Sequence, residues 1–78
     1  MYYTYVLKSK RDDKLYIGFT IDLKKRFKEH AEGCVKSTKS RAPMDLVYYE
    51  ACLDKVKAIK REKYFKTGFG RRFLLNRI

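Results

Sequence analysis

Arg26 and His30 lie four residues apart in a segment patterned as a helix, so they share one face. Leu23, Phe27 and Ala31 form that segment's apolar stripe. At about 100° per residue His30 falls only ~20° from Leu23 and Arg26 only ~60° from it, so a cation and an imidazole flank the stripe instead of opposing it. Either Arg26 snorkels to solvent and His30 is a core histidine with its hydrogen bonds met, or the pair belongs to a site. Glu62 repeats the anomaly: Ala58, Ile59 and Phe65 cluster on one helical arc and Glu62 sits near its middle. A buried carboxylate is costly unless it is paired or bound to a metal. Lys66, one turn on, is the local partner, but such a pair is weak and leaves the inward direction unexplained. Tyr5 and Tyr16 stand in two strand-like segments; depending on register they are diagonal neighbours on one face, or ordinary strand aromatics. Phenol, imidazole, guanidinium and carboxylate are groups that move protons, hold anions and ligate hard cations.

The elements that must position these groups follow from local pattern. Residues 2–8 are β-branched and aromatic and read as a strand, the polar cluster 9–13 as a turn, and residues 15–19 as a second strand, together an antiparallel hairpin. Thr20 or Asp22 can cap a helix over 22–32, with Gly33 as its stop. Residues 34–44, polar, basic and containing the only proline, read as a loop. Residues 46–49 read as a third strand, and Asp54 caps a helix from about Lys55 to Thr67. Gly68 and Gly70 are expected to break it, leaving a short last helix over 71–77. The order β-β-α-β-α-α gives an α+β fold, a small three-stranded, mostly antiparallel sheet flanked by helices, with residues 1–78 as a single domain.

Composition points to the partner. Twenty Lys+Arg against nine Asp+Glu give a net charge of +11, alongside seven tyrosines and five phenylalanines. Charge of that size favours polyanions, and basic residues with aromatics serve backbone neutralisation and base stacking. From Lys55 onward nine basic residues accompany one acid, Glu62. There is no stretch of about 18 apolar residues and no signal-peptide pattern, so the expected location is the cytoplasm, without membrane association. The strands interrupt any continuous basic amphipathic helix that would lie on a membrane. Cys34 and Cys52 lack metal-ligand spacing and read as reduced thiols; with a single histidine a structural zinc site lacks ligands.

Taken together the residues resemble the GIY-YIG nuclease family. Tyr16-Ile17-Gly18 is its second motif, and Tyr3-Thr4-Tyr5 stands where Gly-Ile-Tyr would be, with Tyr5 at the family's distance from Tyr16. Arg26, His30 and Glu62, within Ala58-Ile59-Lys60-Arg61-Glu62, follow in order at the family's spacing. The stretch Lys36-Ser37-Thr38-Lys39-Ser40-Arg41-Ala42-Pro43 followed by Leu46-Val47-Tyr48-Tyr49-Glu50 is similar to the small standalone bacterial members related to the excinuclease nuclease domain. The family's late asparagine has no clear counterpart; Asn76 is the only asparagine. The resemblance implies a metal-dependent endonuclease linked to DNA repair or recombination, with repair or recombination proteins as partners and DNA favoured over RNA. It implies that Glu62 holds one Mg²⁺ or Mn²⁺, that Arg26 clamps the phosphate, that Tyr5 or Tyr16 takes or relays the nucleophile's proton, and that His30 relays a proton or positions Tyr5. Gly18, Lys36, Lys39, Arg41, Lys66, Arg71 and Arg72 are the expected nucleic-acid contacts. A non-catalytic nucleic-acid-binding module, or a subunit active only within a complex, is the alternative on the same fold.

Overall fold

A computed structural model describes residues 1–78. The chain runs β1 (Tyr2–Ser9), β2 (Leu15–Thr20), α1 (Leu23–Ala31), α2 (Lys36–Lys39), β3 (Met44–Cys52), α3 (Lys55–Phe65) and α4 (Gly68–Leu75). The sheet is ordered β2-β1-β3 and antiparallel throughout. This is the expected α+β order, with one added helical turn, α2, inside the segment read as a loop.

Alternation along β1 sends its side chains to two different layers. Tyr5 and Leu7 pack with Met44 beneath Tyr16, Leu23, Phe27 and Leu46, the layer that α1 covers. Val6 packs with Ile17, Phe65 and Leu74 beneath Tyr48 and Phe73, the layer that α3 and α4 cover. Thr4, buried on this second side, donates its hydroxyl to the Ala58 carbonyl at 2.9 Å and ties α3 to the central strand. Thr4 occupies the middle of the degenerate first motif, so the departure from the family pattern supplies a polar tie between sheet and helix.

Asp22, Asp54 and Thr67 each cap a helix, accepting from the backbone N–H of Lys25, Lys57 and Gly70. The third cap corrects the reading of Gly68 and Gly70 as breakers. Both lie in the first turn of α4, and the chain turns at Lys66 and Thr67 instead. Gly70 is there because α4 crosses the end of α3 so closely that a Cβ would overlap the Tyr64 carbonyl. A half-buried knot joins β3 to the same two helices. Arg61 donates from Nε and Nη2 to the two oxygens of Glu50 at 2.9 and 3.0 Å, Tyr48 donates to Glu50 at 2.7 Å, and the guanidinium lies over Phe65 and Phe73.

Candidate active site

The hairpin register sets Tyr5 opposite Gly18 and Leu7 opposite Tyr16, so the two tyrosines are diagonal neighbours with ring centroids 6.4 Å apart. Gly18 lacks a side chain because the end of the Tyr5 ring lies across it; an added Cβ would overlap that ring. The glycine of Tyr16-Ile17-Gly18 therefore serves the tyrosine of the neighbouring strand.

α1 brings His30 and Arg26 to these rings. The buried stripe of α1 departs from the expected one: Ala31 is exposed and His30 is the helix's buried residue. His30 holds that place because both ring nitrogens are paired. Nε2 is hydrogen-bonded to the Tyr5 hydroxyl at 2.9 Å and Nδ1 to the Thr38 hydroxyl at 2.7 Å. Its ring also meets Tyr16 edge-on, with centroids 5.1 Å apart. Thr38 is fully buried on α2, and nothing in the sequence set it apart from Ser37 or Ser40.

The electrostatics follow from burial and from Arg26. Burial pushes the Tyr5 hydroxyl above its ordinary value of 10.0; the nearby Arg26 guanidinium works against this, while Tyr16 and Glu62 add to the rise. His30 is lowered from 6.5, first by burial and then by the positive charge of Arg26, with Glu29 opposing. The neutral imidazole is therefore its resting form at pH 7. Arg26 is held more firmly charged by the Tyr5 hydroxyl and by Glu29, whose carboxylate accepts from its Nη1 at 3.3 Å.

Glu62 comes from α3, on the opposite layer, and its carboxylate acts on Tyr5 through space. Its side chain is 21% exposed, with only Lys66 at 3.5 Å as an ionic partner. No group of three or more His, Cys, Asp or Glu side chains comes together as a metal cage. A single, loosely paired carboxylate suits a hydrated hard cation that keeps several waters and leaves positions open to phosphate oxygen, and it does not suit a dedicated all-protein cage.

Tyr5, Tyr16, Arg26 and His30 thus form one cluster, and the Glu62 carboxylate on α3 is near enough to act on Tyr5 electrostatically. The basic residues divide. Lys36, Lys39, Lys66, Arg71 and Arg72 are exposed. Arg41 turns inward: its Nη2 donates to the Leu15 carbonyl at 3.3 Å, its Nε lies 3.8 Å from Asp12, and its own carbonyl accepts from Ser9. Arg41 thereby ties the segment after α2 to the β1–β2 turn.

Residues 1–76 match the family described as the GIY-YIG catalytic domain. A UPF0213 protein of Clostridium perfringens is 48% identical over 67 residues, which are 85% of this chain and 71% of that protein. The UPF0213 protein YazA of Bacillus subtilis is 42% identical over 83% of this chain and 66% of its own length. The solution NMR structure of the UPF0213 protein BH0048 from Bacillus halodurans superposes with a TM-score of 0.61 at 34% identity, covering 97% of this chain and 84% of that one.

Proposed function

This chain belongs to the GIY-YIG catalytic-domain family, and on that premise we propose that it is an endonuclease that hydrolyses phosphodiester bonds in DNA with one divalent metal ion, Mg²⁺ or Mn²⁺. The observation that carries the reading is the grouping of Tyr5, Tyr16, Arg26 and His30 on one layer, with the Glu62 carboxylate acting on Tyr5 from the other. Structural need alone does not account for so many ionisable groups around one buried hydroxyl.

Phosphodiester hydrolysis requires a positioned nucleophilic water, neutralisation of phosphate charge and support for the leaving oxygen. Glu62 is the residue that would hold the ion, which when bound supplies Lewis-acid charge stabilisation at the phosphate. Arg26 presents a planar, permanently charged fork to the phosphate, and Glu29 orients it. Tyr16, only half-buried, faces the attacking water and takes its proton as the phenolate, its own proton having first passed to solvent, while Tyr5, 1% exposed and with a raised pKa, keeps its proton and donates a hydrogen bond into the site. Lys36, Lys39, Lys66, Arg71 and Arg72 supply backbone charge, and repair or recombination is the setting in which such a cut is used.

The deciding experiment incubates the protein with labelled single-stranded, duplex and branched DNA and with RNA, in Mg²⁺, Mn²⁺ or EDTA, beside Glu62→Ala. Cleavage that disappears both with EDTA and with Glu62→Ala is expected. Retained cleavage by folded Glu62→Ala would sink the assignment, and salt-sensitive binding without cleavage by the unmodified chain would make it a binding module. Arg26→Ala should lower kcat by about 10²-fold or more while binding changes severalfold at most. Equal losses in both would reduce Arg26 to a phosphate anchor.

A further inference from the structure

The Thr38 hydroxyl is fully buried and has two acceptors within reach: Nδ1 of His30 at 2.7 Å and the Val35 carbonyl at 3.4 Å. That carbonyl already accepts the backbone N–H groups of Thr38 at 3.1 Å and Lys39 at 2.9 Å, so both its lone pairs are engaged. A separation of 3.4 Å is also long for O–H···O, whereas 2.7 Å is a full-strength contact. A neutral imidazole carries its proton on one nitrogen and accepts on the other. If the proton were on Nδ1, the Thr38 proton would have no good acceptor in a site sealed from water, a costly state.

We infer that Thr38 is a positioning residue of the nuclease site proposed above: its hydroxyl donates to Nδ1 of His30, which keeps the imidazole proton on Nε2 and makes His30 a hydrogen-bond donor to Tyr5, not the acceptor of its proton. The catalytic consequence rests on the nuclease reading; the hydrogen-bond direction rests on the distances above. With Nε2–H donating at 2.9 Å and the positive charge of Arg26 nearby, Tyr5 receives from the protein side. Its own proton is then not taken up by His30 and stays available for donation to a phosphate oxygen or the nucleophilic water when substrate is bound. Burial and the charge of Arg26, which keep His30 neutral, preserve the arrangement at pH 7. α2, a single helical turn whose other side chains are exposed, thereby sets the direction of the next hydrogen bond in the chain, from His30 to Tyr5.

His30 is the only histidine, so protein labelled with ¹⁵N-histidine shows one imidazole by NMR. In the unmodified chain and in Thr38→Ser, Nε2 should carry the proton and Nδ1 should appear as the acceptor nitrogen. In Thr38→Val, which has no hydroxyl, the form with the proton on Nδ1 should appear. Thr38→Val should also lower kcat about tenfold with KM unchanged, and Thr38→Ser should restore it. A proton on Nδ1 in the unmodified chain overturns the inference, as does an unchanged tautomer in folded Thr38→Val. If Thr38→Val does not fold, the unmodified chain and Thr38→Ser still decide the tautomer. The NMR result is independent of turnover: Nε2–H without any cleavage by the unmodified chain would refute the nuclease reading and leave the Thr38–His30 bond standing.

Discussion

A histidine held neutral by burial makes stability depend on pH in a defined direction. Free in the unfolded chain, His30 titrates near its ordinary 6.5, and in the fold its value is lower, first because it is buried and second because Arg26 is close. Between those two values the unfolded chain binds the extra proton, so stability is full above about pH 7 and declines as pH falls below 6.5. A melting temperature that falls between pH 7.5 and pH 5.5, and falls less in His30→Gln, is the expected outcome. The carboxylates do not confuse this window. Burial alone would raise Glu50, but the Arg61 fork and the Tyr48 hydroxyl outweigh it and hold Glu50 below its ordinary 4.5, so its contribution is lost only at more acid pH. A melting temperature flat from pH 7.5 to 5.5 would show that His30 accepts a proton in the fold without cost.

The elements place these residues through a few contacts that local patterns do not reveal. Thr4→Val removes the donor that ties β1 to the Ala58 carbonyl, and about 1 kcal/mol of stability should be lost with it, read by denaturant unfolding. Cleavage should fall further than that loss explains, because Glu62 lies one turn beyond Ala58 on the same helix. Gly18→Ala should be worse for both, since its methyl group meets the Tyr5 ring and overpacking costs ~1–3 kcal/mol. The strands, α1, α3 and the four clustered side chains were legible in the sequence because each rests on alternation, helical spacing, a cap or a motif. Thr38 and Arg41 were not. Both sit in a polar, basic segment where a buried hydroxyl and an inward-turned guanidinium look like any solvated residue until the Tyr5–His30 pair and the β1–β2 turn close over them. Ala31 was misplaced because a helix lying on a twisted sheet follows i, i+4, i+7, and at that third position the chain supplied an imidazole with two partners. Gly70 was misread because glycine breaks a helix or permits close approach, and only the proximity of the Tyr64 carbonyl tells which.

At the scale of the whole molecule the net charge of +11 acts on folding and on binding with opposite signs. Self-repulsion opposes the compact state, so added salt, by screening it, should raise the melting temperature. The same salt should weaken nucleic-acid binding, because each phosphate neutralised releases counterions; engagement of about five lysines and arginines implies a slope near −4.5 in log K against log salt on duplex. Removing Lys36 and Lys39 together should flatten that slope by roughly two units without reducing stability. A melting temperature that falls with added salt would contradict the first part, and an affinity indifferent to salt would contradict the second.

The chain divides its site between two layers, and the helix that carries Glu62 is itself anchored in the core. α3 carries Glu62 and also, three residues on, the fully buried Phe65 that fills the layer beneath it. A helix that holds both cannot drift from the sheet while the rest stays folded, so the site has no half-open form reached by warming. Cutting should therefore persist up to the melting transition and stop with it, activity and helical signal vanishing at one temperature. Heat would act on this protein as a switch with a single threshold.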